Sequence, residues 1–145
     1  MIRITRETDY GIVLLSHLAT GPSREIYTAR GLSSWAELPL PMVSKILKAL
    51  ARAGILLSHR GAKGGYSLAR RPEEVSVGDV IRALEGPVGI TECASTPGSC
   101  DQESICPIRC RWQEISGAVR EFLEKIPISQ LIHSAPLPQI QSTGQ

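Results

Sequence analysis

The chain has 145 residues, 42% of them hydrophobic and 21% charged, with a formal net charge of +2. One domain with room for an appended element is the size expected, and the absence of any apolar run near the roughly 18 residues of a membrane span excludes an integral helical membrane protein. The small net charge hides an uneven distribution: residues 1–72 carry eleven Lys/Arg against four Asp/Glu, and residues 73–145 carry five against ten.

The opening stretch MIRITRETDYGIVLLSHLA scatters charges among apolar residues and offers no small-residue cleavage site, so a secretory signal is not expected and a cytoplasmic location is. From Thr5 to Thr20 the apolar positions Ile12, Leu15, Leu18 and Ala19 recur at helical spacing. Thr5 can cap this first helix, and Glu7 and Asp9 lie near its positive end. GPSRE reads as a turn, and a short helix through Leu32 to Leu38 follows before ELPLP stops it. Pro41 then opens a third helix in which Met42, Val43, Ile46, Leu47 and Leu50 form one apolar stripe. Ser44, Lys45, Lys48 and Arg52 lie on its other side, and Gly54 closes it.

The period then changes. ILLSHR and YSLAR are strand-like and flank GAKGG, whose glycines supply the positive-φ positions of a hairpin tip. GAKGGYS is not a nucleotide-binding P-loop, because it lacks the required spacing and leads into a strand instead of opening a helix. Ser76 and Asp79 form a capping arrangement for a helix through Leu84 that Gly86 ends. After the cysteine-rich stretch, a helix from Pro107 carries Ile108, Trp112, Ile115, Val119, Phe122 and Ile126 in steps of 4, 3, 4, 3, 4. This heptad-like seam predicts pairing with the same helix of a second copy, packing on the chain's own core being the alternative. IPISQLIH adds one short turn, and SAPLPQIQSTGQ reads as a loose tail.

Three short helices and a basic hairpin make a winged helix-turn-helix: a mainly α fold with a small β-hairpin wing and a long C-terminal dimerisation helix. The expected divisions are 1–86 for the DNA-binding domain, 87–106 for a cysteine-rich loop, 107–133 for the dimerisation helix and 134–145 for the tail. Between Lys45 and Arg71 stand seven basic residues and no carboxylate, which is the charge pattern of a phosphate-binding face. Such a protein is expected to bind double-stranded DNA as a homodimer, with Ser44, Lys45, Lys48 and Arg52 on the helix that enters the major groove and Arg60 and Lys63 at the wing tip. No nucleophile–base pair or CxxC motif points to an enzyme.

All four cysteines, Cys93, Cys100, Cys106 and Cys110, fall within eighteen residues. In a reducing compartment such clustering indicates metal binding or redox chemistry more often than structural disulfides. Spacings of six, five and three residues contain none of the tight knuckles usual for zinc, without excluding it. A larger iron-sulfur cluster tolerates ligands from a longer loop, and thiol-based redox sensing is the remaining option. His17, His59 and His133 are scattered and read as surface or packing residues.

The segment LPLPMVSKILKALARAGILLSHRGAKGGYSLARRPEEVSVGDVIRALEG, the cysteine loop after it and a tryptophan six residues past Cys106 resemble the iron-sulfur regulator family that includes IscR, NsrR and RirA. The likeness runs from about Arg3 to Leu131. TDYGIVLLSHLA and the wording ITEC, IC and RW are most similar to the branch that regulates the SUF iron-sulfur assembly genes. The resemblance implies a transcription regulator that responds to iron, oxygen or nitric oxide through a [2Fe-2S] or [4Fe-4S] cluster held by Cys93, Cys100 and Cys106. Where some members place a histidine ligand three residues after the last loop cysteine, this chain has Arg109, which cannot coordinate a metal. Two candidates for the fourth ligand stay open: Cys110, one helical turn from Cys106, and Asp9 of the partner subunit, matching an acidic ligand that other members supply across the dimer. Regulation would act by differential affinity, the cluster favouring one spacing of the two recognition helices. A zinc-containing or thiol-redox-sensing DNA-binding regulator without a cluster is the alternative.

Overall fold

The structure is a computed structural model that describes residues 2–132. It begins with helix α1 (Arg6–Thr20), capped as the sequence predicts by the Thr5 hydroxyl, which accepts the Thr8 N–H at 3.3 Å. Leu14, Leu15 and Leu18 form its buried stripe. Helix α2 (Ala29–Ala36) starts earlier than expected because Thr28 is a cap, accepting the Gly31 N–H at 2.9 Å, and it stops where Glu37 turns left-handed at φ 54°. Helix α3 (Leu40–Arg52) carries Pro41 in its first turn, where no intrahelical N–H is needed, and buries Val43, Ile46, Leu47 and Leu50. Gly54, at φ 78°, lets the chain reverse beyond it.

Strands β1 (Leu56–His59) and β2 (Gly65–Leu68) pair antiparallel from Leu56↔Leu68 to His59↔Gly65, forming the wing. Tyr27, just before α2, exchanges both backbone hydrogen bonds with Tyr66 at 2.8 Å, so the wing is pinned to the helices by a third short strand segment. Gly65 is required at that crossing: a Cβ there would collide with the Tyr27 carbonyl. Helix α4 (Val77–Glu85) has the full capping box, Ser76 and Asp79 each accepting the other's backbone N–H at 3.0 Å.

Helices α1 to α4, β1 and Ile128 share one core that includes Leu14, Leu15, Leu32, Ile46, Leu47, Leu50, Ile55 and Val80. Each such side chain contributes roughly 1.5–3 kcal/mol of burial. Helix α6 (Arg109–Glu124) packs on α4 through a second cluster in which Phe122 and Leu123 meet Val77, Ile81 and Ile126.

Three features depart from the sequence expectation. The seam helix begins at Arg109 and not at Pro107, and Ile126 lies beyond its end. Ile126 is 5% exposed and its carbonyl accepts the Val77 N–H at 2.8 Å, so the last residue of the predicted seam belongs to the chain's own core. The short turn expected after it is present as helix α7 (Ile128–Ile132), whose Ile128 reaches the main core and donates its N–H to the Val75 carbonyl at 2.8 Å. A one-turn helix α5 (Glu92–Ser95) also interrupts the loop. The expected tail, 134–145, and His133 lie outside the described residues.

Candidate nucleic-acid interface and cysteine loop

The apolar stripe of α3 packs down on the core, which leaves Lys45, Lys48 and Arg52 exposed and Ser44 half-buried on the outer side. At the wing tip Arg60, Gly61, Ala62 and Lys63 are all exposed, with Gly61 at φ 101° making the turn. The six residues predicted for DNA contact therefore occupy two projecting elements, an arrangement that can place a helix in a groove and a hairpin on the flanking backbone.

The basic run is less free of carboxylates than its sequence implies, since partners come from elsewhere in the chain. Lys45 Nζ lies 2.7 Å from Glu7 Oε1 of α1. Arg70 meets Asp79 at 3.5 Å, and Arg71 meets Glu74 at 3.2 Å. The Arg71 backbone N–H and guanidinium together hold the Glu74 carboxyl below its ordinary range. Lys48, Arg52, Arg60 and Lys63 have no carboxylate partner among the described residues, and they are the cations on this face open to phosphate.

All four cysteines are free thiols with graded exposure. Cys93, in α5, is buried, and its Sγ lies 3.3 Å from the Thr91 hydroxyl. Cys100 and Cys106 are half-buried, and Cys110, in the first turn of α6, is exposed. The segment is tied to α6 at two places. Ile90 N–H donates to the buried Ser116 hydroxyl at 3.1 Å, and Glu103 pairs with Arg109 at 2.7 Å. Asp9 is exposed on α1, its backbone N–H held by the Thr5 carbonyl at 3.1 Å.

Four thiolates are the right donors for an iron-sulfur cluster. Among the described residues no three His, Cys, Asp or Glu side chains are gathered as a metal set. Cys93, Cys100, Cys106 and Cys110 are thus not gathered as a metal set within this protomer, and Asp9 is the ligand expected from the partner subunit. Two of the three histidines are packing residues, as expected: His17 stacks on Trp35 at 3.8 Å, and His59 hydrogen-bonds Ser67 at 2.7 Å.

Sequence reasoning missed the tertiary contacts of Glu7, Glu85 and Glu103. Glu85 Oε1 accepts the Thr5 N–H at 2.7 Å and the Thr8 hydroxyl at 2.6 Å, fastening the end of α4 to the start of α1. These partners stand about eighty residues apart, a separation that no local spacing pattern reveals.

The winged-helix geometry has a counterpart in a family model described as an iron-dependent transcriptional regulator, Rrf2, which matches residues 4–134. The chain belongs to the Rrf2 family. It is 28% identical over 136 residues to protein rrf2 of Nitratidesulfovibrio vulgaris, covering 94% of this chain and 91% of that one. Its fold resembles the oxidized form of Staphylococcus aureus CymR at TM-score 0.68 and 28% identity, over 93% and 99% of the two chains. It also resembles T. potens IscR at TM-score 0.64 and 25% identity, over 97% and 93%. As an Rrf2 protein it is a DNA-binding regulator and not an enzyme, acting as a homodimer. The likenesses stand at the level of the family, and the narrower resemblance to the SUF branch has no counterpart in them. No helix among the described residues is long and apolar enough to cross a membrane.

Proposed function

We propose that this Rrf2 protein binds duplex DNA through α3 and the wing and that its affinity is set by the state of the thiols at 93–110. Ser44, Lys45, Lys48 and Arg52 face the major groove, and Arg60 and Lys63 meet the backbone beside it. The observation that carries the sensing role is the graded exposure of four free thiols, three on the segment that joins α4 to the dimerisation helix and the fourth in that helix's first turn. A chemical change there can alter how α6 sits on α4, and through the dimer the spacing of the two recognition helices.

As placed, the thiols support a redox sensor without an assembled metal site. Oxidation of two of them by a peroxide or a disulfide would remove two protons and two electrons and draw distant parts of the loop together. The relative crystallised in an oxidized form, CymR, is consistent with this chemistry. A second reading, a cluster on Cys93, Cys100 and Cys106 completed by Cys110 or by Asp9 of the partner subunit, is favoured by the donor set itself: four thiols and no competing histidine within eighteen residues. On that reading the SUF assembly promoters are the first targets to test.

Iron and acid-labile sulfide analysis with a visible spectrum of anaerobically purified protein separates the two. Colourless, iron-free protein whose DNA affinity changes on mild oxidation supports the thiol sensor. Stoichiometric iron and sulfide supports the cluster. Neither iron nor any effect of oxidation on DNA binding would leave the loop without a sensory role.

A further inference from the structure

Within the cysteine segment one carboxylate holds two turns at once. Glu103 Oε2 accepts the Gly98 N–H at 2.6 Å, closing a turn that contains Cys100. Glu103 Oε1 pairs with Arg109 Nη2 at 2.7 Å, closing a second that contains Cys106 and joins it to the start of α6. The Glu103 side chain is only 10% exposed, although its Gly98 contact lies at the surface and Arg109 is 39% exposed. Gly98 sits at φ 84°, a conformation that favours glycine and turns its N–H toward the carboxylate.

We propose that Glu103 is the positioning residue of the sensor: its two oxygens separately fix Cys100 and Cys106, and Arg109 is the counter-ion that fastens this unit to the dimerisation helix. The inference rests on the sensory role proposed for the loop and adds the group that sets its geometry. Arg109 thus acquires a purpose at the position where histidine-bearing members of the resembling family have a ligand. Its Nε is buried without a partner, so the guanidinium is held by the Glu103 contact and not by a wider network. Cys93 and Cys110 lie outside both turns, the one in α5 and the other within α6.

The division into two turns gives a signature that general loosening would not. In the reduced full-length dimer, alkylation of each cysteine by iodoacetamide is followed by mass spectrometry. Glu103→Ala releases both turns and is expected to accelerate labelling of Cys100 and Cys106 by about fivefold each, the scale of one lost hydrogen bond. Cys93 and Cys110 should keep their wild-type rates. Arg109→Ala should accelerate Cys106 and leave Cys100 unchanged. Glu103→Gln, which still offers an amide oxygen to Gly98 but no charge to Arg109, should follow Arg109→Ala. Unchanged rates at Cys100 and Cys106 in Glu103→Ala, or an equal rise at all four cysteines, would overturn the proposal. So would identical profiles for Glu103→Ala and Arg109→Ala. Failure of the sensory reading shows elsewhere, as wild-type DNA affinity that ignores the thiols, and leaves these rates untouched.

Discussion

Lys45 Nζ on the recognition helix lies 2.7 Å from Glu7 Oε1 in the first turn of α1, so one cation of the proposed DNA face is already neutralised in the free protein. Both side chains are partly exposed, at 69% and 37%, and such a pair contributes only about 0.2–1 kcal/mol. A phosphate competes with Glu7 for Lys45. Glu7→Gln is therefore expected to tighten DNA binding by about 1.4- to 5-fold, the factor that corresponds to that energy, and Lys45→Gln should abolish the gain in the double mutant. Anisotropy titrations of the four proteins close the cycle, and weaker binding by Glu7→Gln would contradict it.

The cations without carboxylate partners should dominate the salt dependence. Changing Lys48, Arg60 and Lys63 together to Gln should lower the slope of log affinity against log salt by about 2 to 3, because each lost phosphate contact returns about 0.9 of a counter-ion. Titrations at several salt concentrations measure this. An unaltered slope would remove the wing and α3 from the interface.

Two isoleucines of the heptad pattern should behave differently. Ile115 is 45% exposed on α6, whereas Ile126 is 5% exposed in the core beside Val77. Ile115→Asp is expected to yield a folded monomer in sedimentation, since it places a charge in the seam and not in the protomer's core. Ile126→Ala should instead cost about 2–5 kcal/mol in denaturant unfolding while the surviving folded protein stays dimeric. Reversed outcomes would move the dimer contact away from α6.

Acid should loosen the junction of α1 with α4. Partial burial raises the Glu85 carboxyl, but hydrogen bonds from Thr8 and Thr5 outweigh it and leave the group below its ordinary value. A depressed folded value means that its stabilisation is complete above the unfolded value of about 4.3 and is lost as pH falls through the lower folded value. Glu85→Gln should therefore flatten the loss of stability below about pH 4.3, with the effect kept small by solvent around this mostly exposed residue. A wild-type slope in the mutant would show that the carboxylate contributes nothing there.

Much of the fold was legible because it is encoded by local signals. The Thr5 cap, the Ser76–Asp79 box, the glycine-tipped hairpin and the apolar stripe of α3 each lie within a few residues, where spacing reports directly on backbone geometry. Ile126 was misplaced because a 4, 3, 4 pattern cannot say which helix face meets which neighbour, and a strand-like bridge between Ser76 and Pro127 intervenes. The basic face was visible as a run of cations, but Glu7, Asp79 and Glu74 reach into it through tertiary contacts that composition does not show. For the cysteines the spacing disclosed the donor chemistry. The roles of Glu103 and Arg109 depended on how a loop with little regular structure closes on itself.

The most direct measurement is the affinity of the reduced, metal-free dimer for a duplex from its own promoter, compared before and after stoichiometric oxidation of its thiols, with a variant carrying Ser at all four cysteine positions as control. A change of about tenfold or more in the wild type, corresponding to a coupling near 1.4 kcal/mol, together with no change in the variant, is the predicted result. Equal affinity of reduced and oxidised wild-type protein would contradict a thiol-controlled regulator.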